Sequence, residues 1–373
     1  MAERTDHMAD SFDLTAYLNQ GAERLVQNIL KATLRNPRES AFLSRFHTAQ
    51  RGMERRRAVL ESEGRHIPMF LIASIANTCN LFCRGCYARA NGRCGQTGDK
   101  PVLDANQWGD IFSQAEEAGI PFILLAGGEP MMRPDVLGKA AEKKSILFPV
   151  FTNGTLIDGP LLTLLDRHRN LVPIVSLEGG EAETDRRRGE GAYRLAQKAI
   201  HSLSDKKLLF GVSLTVTTEN RAEVMSDDFI QSLYREGCRL VFFIEYVPVV
   251  PGTETLAPGD AERLMMEGAQ DDLRARIPGM IFLSFPGDEK HMGGCLAAGR
   301  GFFHINEYGA AEPCPFSPYS DMNLRDHTLL DALQSPFFRL VRGLNAQGEN
   351  HRGGCALFEK EAQVKALLFP QKV

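Results

Sequence analysis

Three cysteines, Cys79, Cys83 and Cys86, stand within the eight residues "CNLFCRGC". No local histidine or fourth cysteine completes the tetrahedral set that a structural zinc site requires. A disulfide framework needs pairs of cysteines and an oxidising compartment. Three thiolates suit a four-iron cluster held at three corners, leaving one iron open to a small molecule. A zinc ion completed by a distant ligand, or by Cys94 eight residues further on, is the alternative.

"GGEP" (127–130) is the next stretch with chemical content. Its two glycines let the backbone approach a ligand closely, and Glu129 offers a carboxylate to a cation. Taken alone, it reads equally well as a glycine turn with a solvated acid. Shorter polar groups recur downstream: "TNG" (152–154), "SLEGG" (176–180), "TTEN" (217–220) and "EYVP" (245–248).

These groups need elements to position them. From residue 67, apolar runs at 68–76, 121–126, 147–152, 172–178, 208–216 and 240–247 alternate with helix-length segments. Continuous apolar strands separated by helices predict a parallel sheet covered by helices. Each polar group falls at the end of a run, where barrels and open parallel sheets bind their ligands. Six units are too few for a complete eight-fold barrel, so a partial barrel or a doubly wound sheet fits. Trp108, at the start of a helix, reads as packing, and Cys238 reads as a small buried hydrophobe. Glu245 and Tyr246 end the sixth run, where either substrate contact or core packing is open to them.

Four regions follow from this pattern: an N-terminal helical cap (1–66), the barrel (67–250), a linker region (251–290) and a small cysteine-bearing α+β domain (291–373). In the cap, Leu14, Leu18, Leu25, Ile29 and Leu30 recur at helical spacing, and "NPRES" separates a second helix. The cap carries more Lys and Arg than Glu, and reads as a packed cap with solvated charges or as a surface for anionic lipid or an acidic partner. The linker holds a predicted helix (259–276) and a short strand (279–285). The last region is rich in glycine and carries Cys295, Cys314 and Cys355.

Composition narrows the function further. Hydrophobic residues make up 43% of the 373, enough for a sizeable core, and a net charge of −4 argues against nucleic acid as a partner. The longest apolar runs reach half of the roughly twenty residues that span a membrane, so no membrane contact is expected. The N-terminus lacks an apolar signal core, and eight cysteines without export imply a cytoplasmic protein with reduced thiols or metal ligands.

Taken in order, C-x3-C-x2-C after the first strand, GGEP after the second, TNG after the third and "SLEG" on the fourth resemble the radical S-adenosylmethionine superfamily over residues 68–250. The resemblance implies an α/β fold with a partial (β/α)6 barrel and a [4Fe-4S] cluster on Cys79, Cys83 and Cys86. It also implies S-adenosylmethionine bound to the open iron. Gly127, Gly128 and Glu129 would hold its amino group, Ser176 and Glu178 would face its ribose, and Arg188 would meet its carboxylate. Tyr87 and Asn153 join this cofactor site, and Thr217 or Asn220 would line it. Gly85 stands where the family often carries an aromatic residue, and Glu178 where Asp is commoner.

The C-terminal region resembles the auxiliary-cluster extensions called SPASM and twitch domains. A hairpin over 302–312 would return Cys314 towards Cys295, and "HRGGC" brings Cys355, although Arg352 occupies the place of a usual cysteine. The resemblance therefore implies an auxiliary iron–sulfur cluster on Cys295, Cys314 and Cys355. His351, His304, Cys94 or Cys238 are candidates for its fourth ligand, and a Cys3His zinc site is the alternative.

The implied activity is reductive cleavage of S-adenosylmethionine to a 5′-deoxyadenosyl radical that takes hydrogen from a peptide or small metabolite. An electron donor such as flavodoxin or ferredoxin would supply the reductant. The competing readings are a non-catalytic iron–sulfur or zinc sensor, and a membrane-associated enzyme acting on lipid.

Overall fold

The computed structural model describes residues 14, 16–21, 23, 27, 36–95, 101–346 and 354–368. Leu25, Ile29 and Leu30 of the expected first helix lie outside them, as do His351 and Arg352. Helix α1 (Pro37–Ser62) starts at Asn36, whose side chain accepts from the amides of Arg38 and Glu39, with Pro37 at the first helical position. One face of α1 presents Phe42, Leu43 and Phe46 to Met69, Phe122, Leu147, Leu209 and Leu240, which stand where the strands of the sheet begin. The helix thereby stops the lower end of the barrel. Its buried Glu39 accepts on Oε1 from Arg169 at 2.6 Å and from the Leu209 amide at 3.1 Å, while its Oε2 has no partner among the described residues.

Six parallel strands run side by side in chain order: β1 (Phe70–Ala76), β2 (Phe122–Gly127), β3 (Phe148–Thr152), β4 (Leu171–Leu177), β5 (Gly211–Val216) and β6 (Leu240–Glu245). They match the six apolar runs. The sheet does not stop there. Strand β7 (Ile281–Phe285) adds parallel to β6, and β8 (His304–Ile305) adds parallel to the other edge of β1. β9 (Ala310–Glu312) then turns back on β8, and β10 (Met322–Asn323) follows it. The stretch expected as a linker thus supplies a sheet strand after helix Asp260–Arg276. The hairpin expected in a separate C-terminal domain is an extension of the barrel sheet itself.

Side chains alternate along β1. Leu71, Ala73 and Ile75 point outward into the core formed with Trp108, Ile111 and Phe112 of helix α2 (Ala105–Ala118). Phe70, Ile72 and Ser74 therefore face the barrel lumen. Helix α2 is held by a capping box between Asp104 and Gln107 and ends at Gly119 in the left-handed region (φ 84°). A Cβ there would meet the Met53 carbonyl oxygen at 2.5 Å, which lets α1 pass close by. Phe302 stacks on Phe70 at 5.0 Å and meets Phe285 edge-on at 5.6 Å, filling the seam between the ends of β1 and β7. No helix among the described residues is long and apolar enough to cross a membrane.

Candidate active site

The loop carrying Cys79, Cys83 and Cys86 leaves β1 at its carboxyl end, and Cys86 begins a single helical turn, Tyr87–Ala90. All three sulfurs belong to half-buried residues. Arg89 folds back across the loop, donating to the carbonyls of Leu81 at 2.7 Å and Cys79 at 3.3 Å while lying over the Phe82 ring. The Cys79 sulfur accepts from the Leu81 amide at 3.5 Å and from Asn153 at 3.9 Å. Buried Cys94 donates its thiol to Cys79, and this bond is the largest influence holding the Cys79 thiol below its ordinary range. Cys94 therefore belongs to the first cysteine loop, not to the C-terminal set. Burial, in turn, raises the Cys83 thiol.

Among the described residues, no three His, Cys, Asp or Glu side chains converge as they would on one ion.

The GGEP loop lies directly against the cysteine loop. Gly128 and Glu129 donate their amides to the carbonyls of Ala76 and Thr78, at 2.6 and 2.8 Å. A Cβ on Gly128 would meet the Thr78 oxygen at 2.1 Å, and one on Gly127 (φ 115°) the Ala76 oxygen at 2.6 Å. Only glycines permit that approach. Glu129 is buried and committed within the chain, accepting from Thr152 at 2.7 Å and from the amides of Asn153 at 2.8 Å and Met131 at 2.9 Å. Burial outweighs these bonds and pushes its carboxyl up to about 7. Asn153 bonds to Asn80 at 2.8 Å, so the TNG and cysteine loops are also tied together.

At the end of β4, Glu178 accepts from Arg187 at 2.5 Å and from Arg188 Nε at 2.7 Å, yet its buried Oε2 has no partner among the described residues. The charges of Glu178 and of the thiols of Cys83 and Cys86 raise Arg188 against the opposing effect of burial, which places Arg188 beside the cysteine loop. Ser176 shares a hydrogen bond with Ser213 at 3.0 Å, inside the barrel. Thr217 and Asn220 line a recess with Arg84, Glu178, Arg187 and Tyr246. Asn220 braces this end by donating to the carbonyls of Glu178 and Thr215, at 2.9 and 2.8 Å.

Tyr246 occupies the space a side chain at position 85 would need: a Cβ on Gly85 would meet its hydroxyl at 2.3 Å. An aromatic ring from β6 thus packs where Gly85 leaves room. Its hydroxyl donates to Thr253 at 2.9 Å, and Glu245 pairs with Arg263 at 2.7 Å, so both are engaged within the chain. Trp108 is fully buried and stacked on Phe112, and Cys238 is buried with its thiol on the Leu240 carbonyl, both as expected.

A second group of thiols assembles from distant segments. Cys314 donates to the Cys355 sulfur, and Cys295 lies near enough for the Cys355 charge to act on it. Burial drives the Cys295 and Cys314 thiols far above their ordinary range. Glu289, buried and pushed up to about 8 chiefly by that burial, accepts from Cys295 and from the Leu296 amide at 3.3 Å. His304 is not aimed at this set; its nitrogens meet Ser74 Oγ at 2.7 Å and Glu312 Oε2 at 2.8 Å. Glu312 also accepts from Arg93 and Asn306, each at 2.6 Å. Tyr87 shares a hydrogen bond with Ser74, so one buried chain runs from the residue after Cys86 to the residue two before Cys314.

Glu289 and the Ser74–His304–Glu312 chain escape a reading of the sequence. Glu289 sits in "GDEKHM", which reads as solvated charge; Ser74, the one hydroxyl in "FLIASIA", was the available signal.

Comparison with known proteins gives a consistent picture. Residues 73–229 match the family model described as the radical SAM superfamily. The chain is 25% identical over 322 residues to the AdoMet-dependent heme synthase of Methanosarcina barkeri, covering 78% of this chain and 88% of that protein. It is 26% identical to the mycofactocin maturase MftC of Mycobacterium ulcerans, covering 78% of this chain and 84% of that one. Its fold is similar to that of Streptococcus suis SuiB bound to its precursor peptide SuiA, with a TM-score of 0.62, 17% identity, and coverage of 78% of this chain and 70% of that chain.

Proposed function

Since this chain belongs to the radical S-adenosylmethionine superfamily, whose enzymes use a [4Fe-4S] cluster and S-adenosylmethionine, we propose that it oxidises a peptide substrate at carbon, with Cys79, Cys83 and Cys86 holding the cluster. When bound, cluster and S-adenosylmethionine supply one-electron cleavage of a carbon–sulfur bond and a 5′-deoxyadenosyl radical that takes a hydrogen atom from substrate. The observation that carries this reading is the direct seating of the GGEP backbone on the cysteine loop.

The residues present suit the cofactor. The hydrogen bond from Cys94 holds the Cys79 thiol below its ordinary range, and a thiolate is the form that binds metal. The backbone of Gly127 and Gly128 would meet the methionine amino group, while Glu129 braces the loop from behind through its bonds to Thr152 and Asn153. The unpartnered Oε2 of Glu178 suits a ribose hydroxyl, with Ser176 on the neighbouring lumen wall, and Arg188 suits the methionine carboxylate. Tyr87 orients Ser74 within the lumen wall.

Loss of a hydrogen atom to the nucleoside radical and of one further electron, which the proposed auxiliary cluster would accept, also releases a proton. His304 Nε2, oriented by Glu312 and reached through Ser74, is the base we assign to it. Cys295, Cys314 and Cys355 are proposed to hold an auxiliary iron–sulfur cluster, whose metal charge would replace the hydration these buried thiols lack. A flavodoxin or ferredoxin in the cytoplasm is the proposed reductant. Heme formation is a second reading, favoured by the M. barkeri relative, 88% of whose length is matched.

Anaerobic reconstitution with iron and sulfide, followed by iron counting and an assay for 5′-deoxyadenosine under dithionite, tests the proposal. Nucleoside formation with about eight irons, twice the content of one [4Fe-4S] cluster, is expected. An intact cluster without nucleoside would overturn it in favour of a binding module.

A further inference from the structure

At the end of the barrel where the strands begin, Arg300, Arg339 and Arg342 converge with His66, Leu14 and Leu333 on a recess of about 390 Å³. Two of the three guanidiniums are fixed in place. Arg300 donates to the carbonyls of Met292 at 2.6 Å, Gly294 at 2.7 Å and Cys295 at 3.0 Å. Arg342 donates to those of Ala298 at 2.8 Å and Leu333 at 3.2 Å. His66 is spoken for, with Glu61 at 2.7 Å on one nitrogen and the Arg300 carbonyl at 2.8 Å on the other.

What these groups lack is an ion-paired carboxylate, although Glu289 and Cys295 lie near enough to favour the charge of Arg300. Among the described residues no carboxylate pairs with Arg300, Arg339 or Arg342, and none lines the recess. Arg300 Nε and Arg342 Nε and Nη2 make no hydrogen bond among those residues. Burial, and then the neighbouring Arg339, hold the Arg342 guanidinium below its ordinary value. Half-buried like charges without an anion repel one another and lose hydration, a cost that a bound anion removes. The recess also falls in the size range of small-molecule sites, with Leu14 and Leu333 as an apolar wall.

We propose that this recess binds an organic polyanion of metabolite size, phosphorylated or polycarboxylic, on the guanidiniums of Arg300, Arg339 and Arg342. Arginine forks match both kinds of oxygen geometry. Since Arg300 also grips the carbonyl of Cys295, occupancy steadies the loop of the second cysteine set, and ordering of that loop tightens the anion in return. The site is remote from the S-adenosylmethionine residues and does not depend on their assignment.

Titration calorimetry on the full-length protein at fixed ionic strength tests it, with citrate and fructose 1,6-bisphosphate as probes and inorganic phosphate as reference. Saturable binding of at least one probe, tighter than phosphate, is expected. The double variant Arg339→Gln/Arg342→Gln should weaken it about tenfold or more, the loss of one to two charge-assisted hydrogen bonds. Amide exchange over residues 292–301 should slow when the probe binds. Arg339→Glu alone, at an exposed residue, gives the same test if the double variant fails to fold. Citrate alone binding would identify a polycarboxylate, and the bisphosphate alone a phosphorylated ligand. No saturable binding, unchanged affinity in the variants, or protection confined to another region would overturn the proposal.

Discussion

The two cysteine sets are built on opposite plans. Cys79, Cys83 and Cys86 share one short loop, stay half-exposed, and are braced by neighbouring loops through Asn153, Arg89 and the GGEP backbone. Cys295, Cys314 and Cys355 come from three separate segments, and the first two are buried. Hydrogen bonding favours the thiolate of Cys79, whereas burial opposes that of Cys295 and Cys314. On the proposed reading, the first set would meet a small molecule and the second would be sealed once filled. The chain from Tyr87 through Ser74 and His304 to Glu312 is what joins them.

The largest expected effect separates the two sets outright. Cys83→Ala should abolish 5′-deoxyadenosine formation, while Cys314→Ala should remove about half the iron and leave nucleoside formation in place. Equal loss of nucleoside in both variants, measured after reconstitution, would break the distinction.

Next comes pH. Glu129 is raised from 4.5 to about 7 in the folded chain, so the native state binds the extra proton between those values. Apo-protein stability should therefore fall as pH rises through that window, at up to about 1.4 kcal/mol per pH unit from this group. Glu129→Gln should flatten the slope in urea unfolding; an unchanged slope would show that the carboxyl is not held protonated.

Breaking the joint should cost less. Glu312→Gln leaves Arg93 and His304 without their carboxylate, and about 2 kcal/mol is expected, below the usual cost of a fully buried pair because Arg93 is partly exposed. Undiminished unfolding free energy would mean the two sets are not coupled through this residue. The smallest effect belongs to Tyr246→Phe, which removes the bond to Thr253 while keeping the ring against Gly85, at about 1 kcal/mol. A large loss of nucleoside formation there would give the hydroxyl a role in the first set that its geometry does not suggest.

Strands β1–β6 were legible because parallel strands buried on both faces read as continuous apolar runs. β8 was not: two residues, His304 and Ile305, carry no periodicity, and their place beside β1 follows from tertiary pairing. The first cysteine set was legible because its members are contiguous. Cys94 shows the limit of that, since its contact with Cys79 depends on how the chain returns after the Tyr87–Ala90 turn. Glu129 stands out in the sequence, but its bonds to Thr152 and Asn153, twenty-odd residues away, follow from tertiary structure. Glu289 carries no mark that distinguishes it from its solvated neighbours Asp288 and Lys290.

The plug of Phe42, Leu43 and Phe46 closes the barrel at the end where its strands begin. The sheet itself stays open, with β7 and β10 as its free edges. On the proposed reading, a peptide would therefore reach the lumen from the carboxyl ends of the strands or from the side between those edges, and would not thread along the barrel axis.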